Sequence, residues 1–180
     1  MAGKLKAALT LQEARPDTPA IDHGGHTGPS MIRQAVETMT VRTRGRGFYE
    51  ITGEIQSRVQ RAVVETGLCT LHLQHTSASL LIQENADPDV RRDFERFFAR
   101  LVPDGDPLFV HTMEGDDDMP AHVRTALTTV NLSIPIAEGR LCLGTWQGIY
   151  VWEHRTSPHT RTVVVHVMGE SGGASGPDPR

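Results

Sequence analysis

The chain has 180 residues, 38% of them hydrophobic and 22% charged, with a formal net charge of −4. This composition is typical of one globular domain with a sizeable core, and its acidic balance gives no support to bulk nucleic-acid binding. Two cysteines without a CxxC pair favour a reducing, cytoplasmic compartment. No apolar run approaches the roughly 20 residues of a membrane span, so we expect no membrane association.

The two ends of the chain lack the periodicity of regular structure. Residues 1–34 mix Pro, Gly, Asp, His and Thr, and residues 171–180 read SGGASGPDPR. Neither segment carries enough apolar surface to offset the entropy of ordering. We therefore predict a flexible extension over 1–34, a single domain over 35–170 and a disordered tail over 171–180.

Between the ends, strand and helix patterns follow one another without regular alternation. Alternating or continuous apolar runs predict strands at residues 36–43, 68–75, 77–84, 132–136, 140–154 and 161–170. Helical patterns begin at Thr52, which we expect to cap a helix ending at Gly67, and at Asp87–Pro88. A brief third helix covers 121–130. Strands outnumber helices, which indicates an α+β fold: a mainly antiparallel sheet with helices packed on one side.

The segment HTMEGDDDMPAH (residues 111–122) places two histidines at the ends of an acidic run. Their spacing matches neither HExxH nor a zinc finger. Together with His75, which ends an apolar strand face, they could supply three nitrogen ligands to an open zinc site. The aspartates could orient the rings or hold Mg²⁺ directly. A solvated acidic loop and a histidine buried in the core remain the alternatives.

Other polar residues stand where a ligand could reach them. LGTWQG (143–148) interrupts an apolar strand with two glycines, which favours close backbone approach to a ligand, or is a kink beside a core tryptophan. Trp146 offers a face for a heteroaromatic ring. Arg155 could meet a phosphate or form a rim salt bridge. Glu84 and Asn85 end a strand, where side chains commonly face a cleft.

The chain contains, in this order, the stretches QHTSASLLIQENADPDVRRDFERFF, HTMEGDDDMPAH, GRLCLGTWQGIYVWEHR and VVVHVMGE. Together they resemble the YjbQ family of small bacterial and archaeal proteins, described as secondary thiamine-phosphate synthases. The resemblance implies an antiparallel α+β fold, a homotrimer with sites near subunit interfaces, and small phosphorylated metabolites as substrates. It also implies a transferase reaction that joins hydroxymethylpyrimidine diphosphate to thiazole phosphate and releases pyrophosphate.

Residues that match the family, together with Arg155, give the predicted site. We expect catalytic roles for His75, Glu84, Asp118, His122 and Glu153. We expect substrate contacts from Thr76, Ser77, Asn85, Gly144, Thr145, Trp146, Gln147 and Arg155. We expect a divalent metal ion, zinc-like or magnesium, on His75, His111, His122 and Asp117. Many relatives are shorter at this point, so the aspartate that matches the family is either Asp117 or Asp118.

Two other functions are compatible with the same residues. The pocket could hold a metal or a phosphorylated metabolite without catalysis. The chain could also be a different transferase or hydrolase, in which thiamine-phosphate synthesis is a side activity.

Overall fold

A computed structural model describes residues 31–172, which form an α+β fold and confirm the fold class expected from the sequence. The predicted flexible segments lie largely outside the described residues, although the first strand already begins at Ile32. The strands are β1 (Ile32–Arg42), β2 (Gly47–Glu50), β3 (Thr66–Leu73), β4 (Ala78–Glu84), β5 (Asn131–Ala137), β6 (Arg140–Leu141), β7 (Gln147–Glu153) and β8 (Thr160–Glu170). The helices are α1 (Thr52–Ala62), α2 (Pro88–Leu101) and α3 (Asp118–Ala126).

The strands form two antiparallel sheets rather than one. The larger has the order β1–β8–β3–β5–β6 and the smaller the order β2–β7–β4. In the smaller sheet Ala78, the first residue of β4, is paired with Glu153, the last residue of β7. The loop before β4 and the loop after β7 therefore lie at the same end of this sheet, and the candidate site is built there.

The hydrophobic core lies between the larger sheet, the smaller sheet and α1. Cys69, Leu71 and Leu73 on one face of β3 are at most 1% exposed, which confirms the face predicted from alternation. Ile55 and Val59 of α1 are fully buried against them. Each fully buried aliphatic side chain contributes about 1.5–3 kcal/mol, so this packing fixes the sheet that carries the site.

Helix α2 packs on the opposite side of the smaller sheet from this core. The Asp87 side chain accepts a hydrogen bond from the backbone N–H of Asp89 at 2.8 Å, as expected for the predicted cap. The Phe98 ring meets Trp152 edge-on, with centroids 4.8 Å apart. Phe97 and Leu101 are 51% and 53% exposed, so the helix buries only part of its apolar stripe.

The predicted boundaries of α1 are wrong at both ends. Thr52 is the first helical residue, not the cap, and its hydroxyl accepts a hydrogen bond from the Ile149 N–H at 2.9 Å. The helix ends when Val63 adopts a left-handed conformation with φ 54°. Gly67 lies in β3, where a Cβ would come within 2.2 Å of a carbonyl oxygen of β8. That glycine serves close strand packing instead of helix termination.

The single long strand predicted over 140–154 is also wrong. β6 ends at Leu141 and β7 begins at Gln147, because Gly144 donates its N–H to the Gln147 side chain at 2.8 Å and closes a turn. A tight turn precedes β6: Glu138 and Gly139 have φ values of 52° and 69°, as in the turns that suit a twisted hairpin. Among residues 31–172, no helix combines the length and apolar character needed to cross a membrane.

Candidate metal centre

Three side chains converge at the start of α3. Asp118 and His122 lie four residues apart on one face of the helix, and the preceding loop brings His111 to the same point. One ligand atom from each residue lies within 4.8 Å of the other two. His111 Nε2 is 2.9 Å and His122 Nε2 3.3 Å from the same oxygen, Asp118 Oδ2.

The tautomer of His122 follows from its other contact. His122 Nδ1 lies 3.0 Å from the carbonyl oxygen of Thr76, which can only accept, so Nδ1 carries the hydrogen. In the neutral ring, Nε2 then presents its lone pair to the carboxylate of Asp118. Two acceptors facing each other at 3.3 Å repel unless a proton or a cation lies between them. The geometry is therefore that of a ligand pair or of a charged imidazolium.

Arg155 fixes the carboxylate of Asp118 from the other side. Asp118 is 2% exposed, and its second oxygen, Oδ1, accepts a hydrogen bond from the Arg155 guanidinium. The same guanidinium donates to the Glu114 carbonyl oxygen at 2.7 Å and to Asp117 Oδ2 at 3.3 Å. Arg155 is thus engaged within the protein, and its geometry gives no support to the substrate contact predicted for it.

The two aspartates have different environments. Asp117 Oδ2 accepts hydrogen bonds from the Thr156 N–H at 2.7 Å and its hydroxyl at 2.9 Å. Burial raises the pKa of Asp117, but the hydrogen bonds from Thr156 and Arg155 outweigh it and lower the pKa to about 2. Asp117 therefore anchors the loop to residue 156. The carboxylate beside the histidines belongs to Asp118, not to Asp117 as predicted.

His75 is not part of the converging group. Its Nε2 accepts a hydrogen bond from the backbone N–H of Thr162 at 2.8 Å, which uses the lone pair that a metal would need. Burial and the nearby Arg161 guanidinium lower its pKa. Both effects favour a neutral ring with its hydrogen on Nδ1, whereas the sequence predicted a metal ligand. His75 instead lines a cleft.

That cleft has a volume of about 810 Å³ and adjoins the converging group, because His122 forms part of its wall. It lies between the end of β3, the loop that leads to β4, and α3 with the segment that follows it. Thr76 and Ser77, both predicted as substrate contacts, line it. So do polar residues that the sequence did not single out as site residues. These are His72, Gln74, Thr125, Thr128, Thr129 and Asn131.

Glu153, predicted as catalytic, faces the protein interior and is fully buried. Its two carboxylate oxygens accept hydrogen bonds from the Thr43 hydroxyl at 2.8 Å, the Arg155 N–H at 3.0 Å and the Arg161 Nε at 2.7 Å. Burial raises its pKa, but these contacts outweigh burial and lower the pKa. Arg161 also donates to the Ser77 carbonyl oxygen at 3.3 Å. The pair holds the loop that forms the cleft and gives no route to substrate.

The remaining predicted residues lie at the opposite end of the smaller sheet. Glu84 pairs with Gln147, six residues along β4 from the Ala78–Glu153 pair, a distance of roughly 20 Å at the rise of a strand. The Trp146 carbonyl oxygen accepts a hydrogen bond from the Asn85 N–H at 2.9 Å, so these residues form one cluster. Within one chain the structure does not bring this cluster to the histidines. Its members are Glu84, Asn85, Gly144, Thr145, Trp146 and Gln147.

One feature of the converging group was visible in the sequence. Asp118 and His122 have the four-residue spacing that puts two ligands on one turn of a helix, and this spacing applies to an aspartate–histidine pair as well as to two histidines. The Arg155 clamp and the Thr76 carbonyl had no comparable signal. The first joins residues 37 positions apart, and the second is a backbone atom.

Comparison with known proteins identifies the family. A model of UPF0047, YjbQ-like proteins matches residues 37–170. The chain is 54% identical to a UPF0047 protein of Synechocystis over 139 residues, which cover 77% of this chain and 95% of the relative. It is 46% identical to the UPF0047 protein YjbQ of Salmonella typhimurium, over 74% of this chain and 96% of that relative.

Solved structures agree on the fold. An uncharacterised conserved protein of this family from Clostridium acetobutylicum matches with a TM-score of 0.67 and 32% identity, over 73% of this chain and 98% of that chain. A protein of unknown function from Sulfolobus solfataricus matches with a TM-score of 0.70 and 20% identity, over 78% of this chain and all of that chain. The second similarity supports the fold alone.

These comparisons correct the activity implied by the resemblance. The Synechocystis and Salmonella relatives are described only as UPF0047 proteins, and the Sulfolobus protein as one of unknown function. No thiamine-phosphate synthase activity is indicated for any of them, so that expected transferase function is wrong as an assignment. What the family model and the relatives establish is that the chain belongs to the YjbQ-like UPF0047 family.

Proposed function

We propose that the chain binds one divalent metal ion through His111, Asp118 and His122 and uses it for Lewis-acid chemistry on a small anionic substrate. The observation that carries the proposal is the contact between His122 Nε2 and Asp118 Oδ2 at 3.3 Å, with Nδ1 held by the Thr76 carbonyl oxygen. A backbone carbonyl on the second ring nitrogen is the usual way in which a protein orients a metal-binding histidine.

The donor set favours a zinc-like ion over magnesium. Two imidazole nitrogens and one carboxylate oxygen suit zinc and its transition-metal neighbours, whereas magnesium prefers oxygen ligands and retains several waters. Three protein ligands also leave coordination positions open for a substrate. Bound in this way, a divalent ion polarises an oxygen-bearing group of the substrate.

The charges around the site support an anionic substrate. Asp117 and Asp118 against Arg155 leave one net negative charge. The Glu114 carboxylate is 67% exposed and 4.0 Å from Arg155, so solvent screens it. A divalent ion would turn the local balance positive. Arg155 is already paired with aspartates. The net positive charge of the metal-loaded site, and not the Arg155 guanidinium, therefore attracts the substrate anion.

The test is metal binding by chelator-treated protein, measured by titration calorimetry with Zn²⁺, Mn²⁺ and Mg²⁺. We expect one site that prefers Zn²⁺, and a loss of affinity in Asp118→Asn beyond the roughly 10- to 100-fold typical of outer-shell changes. His159→Gln is the matched control, because its ring hydrogen-bonds the Ser157 carbonyl oxygen and the residue is not one of the three converging side chains. Equal zinc affinity in wild type and Asp118→Asn would refute the assigned ligands.

The zinc titration also shows whether a metal ion or a proton lies between His122 Nε2 and Asp118 Oδ2. If a proton on His122 occupies that position, zinc has no preformed site. If zinc uses the Nε2 lone pair, zinc and protons compete for it, so acid should weaken zinc binding. Zinc affinity that acid does not weaken would contradict the histidine ligands.

We also propose that copies of the chain associate through the outer face of the larger sheet, in the trimer that the family resemblance implies. Strand pairing puts three rows of four residues on this face, and the twelve include no Asp, Glu, Lys or Arg. A shorter row beside them, Ile32–Glu170–Thr66, adds one carboxylate at the edge of the face. Val36, Leu68 and Met168 on the face are 64%, 39% and 43% exposed. Exposed faces with few charges commonly mark protein interfaces. The rows are Gln34–Met168–Leu68–Pro135, Val36–His166–Thr70–Ser133 and Thr38–Val164–His72–Asn131. His72 and Asn131 also line the cleft, so the cleft opens at the border of the proposed interface.

Light scattering after size-exclusion chromatography tests this association. Val36→Glu places a charge at the centre of the face, and we expect it to give monomers where the wild type gives a larger species. Gln60→Glu on the exposed side of α1 is the control for charge alone. A monomeric wild-type protein, or an unchanged assembly in Val36→Glu, would contradict this interface.

We also propose that the protein resides in a reducing compartment. Cys69 and Cys142 are both free thiols, which favours a reducing compartment such as the cytoplasm.

A further inference from the structure

We infer that the 810 Å³ cleft beside the metal centre binds the hydroxylated part of a small substrate, so that the substrate class is a polyol carrying one anionic group, such as a sugar phosphate or a sugar acid. The inference deepens the proposed function and rests on it, because the anionic group would lie at the metal. The cleft has the volume of an ordinary ligand pocket.

The lining of the cleft excludes a charged occupant. It contains hydroxyl, amide and imidazole groups with a few apolar side chains, and it includes no Asp, Glu, Lys or Arg. Behind the wall, the buried charges of Glu153 and Arg161 neutralise each other, and Asp118, which contacts His122 of the wall, is paired with Arg155. A phosphate or carboxylate deep in the cleft would lose hydration without gaining a cation. The group bound here is therefore neutral.

The cleft presents fixed hydrogen-bond donors. His75 accepts the Thr162 N–H on Nε2 at 2.8 Å, which leaves Nδ1–H as a donor with no partner among the described residues. The Oδ1 of Asn131 accepts a hydrogen bond from His72 Nδ1 at 2.6 Å. The side-chain NH₂ of Asn131 has no hydrogen-bond partner in the described part of the chain. Both donors have their orientation set by a contact within the protein.

It also presents acceptors. The Thr125 hydroxyl donates to the Ala121 carbonyl oxygen at 3.0 Å, which leaves its oxygen able to accept a hydrogen bond from a ligand. The Thr128 hydroxyl donates to the Arg124 carbonyl oxygen at 2.8 Å and also contacts the fully buried Ser79 hydroxyl, so it is used within the protein. His72 offers Nε2 as an acceptor, because its Nδ1 hydrogen is used by Asn131.

Alternating donors and acceptors match hydroxyl groups, which both donate and accept. A planar heterocycle would want a stacking surface, and the lining includes no Phe, Tyr or Trp. A polyol chain satisfies these groups without one. Since His122 belongs to both the wall and the metal centre, one ligand can place hydroxyls in the cleft and its anionic end at the ion.

Two matched pairs of probes test the inference on zinc-loaded full-length protein by calorimetry. Ribose 5-phosphate is compared with n-pentyl phosphate, and gluconate with hexanoate. We expect the hydroxylated member of at least one pair to bind about tenfold tighter, the effect of one or two neutral hydrogen bonds. The pair that responds distinguishes a sugar phosphate from a sugar acid.

Two variants locate the effect. Ala126→Trp introduces a large side chain at an exposed position of the cleft wall and is expected to abolish the preference, whereas Leu127→Trp, next to it but outside the lining, retains it. Ser77→Ala reduces the preference about threefold. Zinc affinity and light scattering, measured in parallel, check that the site and the assembly are intact.

The possible failures are distinct. If wild-type protein binds no zinc, both the proposed function and this inference are wrong. If zinc binds but neither pair shows a preference, the metal centre stands and this inference is overturned. If Ala126→Trp keeps the preference, the hydroxyls bind elsewhere, which also overturns it.

Discussion

Because of the buried His154, we expect the free energy of unfolding of the protein to fall measurably in mild acid. The side chain is fully buried, with its Nε2 2.6 Å from the Ser79 hydroxyl and its Nδ1 buried without a hydrogen-bond partner. Burial, aided by three arginines led by Arg124, lowers the pKa of His154 to about 3. The folded protein therefore keeps this ring neutral at pH values where the unfolded chain protonates it.

The size of the effect follows from proton linkage. The folded-state pKa is below the unfolded value of about 6.5, so the unfolded state binds the extra proton, and stability falls as pH decreases from about 6.5 to about 3. At pH 5, about 1.5 units below the unfolded pKa, protonation of His154 in the unfolded chain lowers the free energy of unfolding by about 2 kcal/mol. Above pH 7.5 the contribution is constant.

Urea unfolding of the wild type and His154→Gln at pH 8, 7, 6 and 5 measures this effect, at one fixed protein concentration. Glutamine can keep a hydrogen bond to Ser79 but does not titrate. We expect the variant to be less stable at pH 8, because it packs less well, and the difference to shrink by about 2 kcal/mol by pH 5. Parallel pH profiles for the two proteins would refute the buried neutral histidine.

Three further predictions concern the fold. Asp87→Ala should lower the free energy of unfolding by about 1 kcal/mol through loss of the α2 cap, and no change in urea midpoint would contradict the cap. Glu138→Gly should raise the melting temperature, by relieving about 1 kcal/mol of left-handed strain at φ 52°, and a lower melting temperature would contradict this. The exposed Cys142 should react with a thiol reagent in the native protein. Cys69 is buried, and burial raises the pKa of its thiol to about 11, so it should react only after unfolding. Rapid labelling of both thiols would contradict the described core.

Local signals in the sequence predicted some elements correctly and others wrongly. Asp87 followed by Pro88 carries its own capping information, and the start of α2 was placed correctly. Thr52 has the same preference for a cap, yet its hydroxyl contacts the Ile149 N–H, 97 residues away. The cap of α1 was wrong because a tertiary contact used the group on which the prediction depended.

In the candidate site, too, local spacing could be predicted from the sequence, whereas contacts between distant residues could not. The spacing of Asp118 and His122 on α3 is local and could be read from the sequence. The role of His75 could not, because the Thr162 N–H that occupies its Nε2 is 87 residues away. Arg155 was expected to meet a phosphate, but it binds Asp118, a partner that only the folded chain reveals.

Anomalous X-ray diffraction at the zinc absorption edge, on crystals of the protein supplied with one equivalent of Zn²⁺, locates the ion at the proposed metal centre. We expect one strong peak, about 2.0–2.2 Å from a nitrogen of His111, a nitrogen of His122 and an oxygen of Asp118. A peak held by other residues, or a site that stays empty while His122 remains bonded to Asp118, would contradict this metal centre.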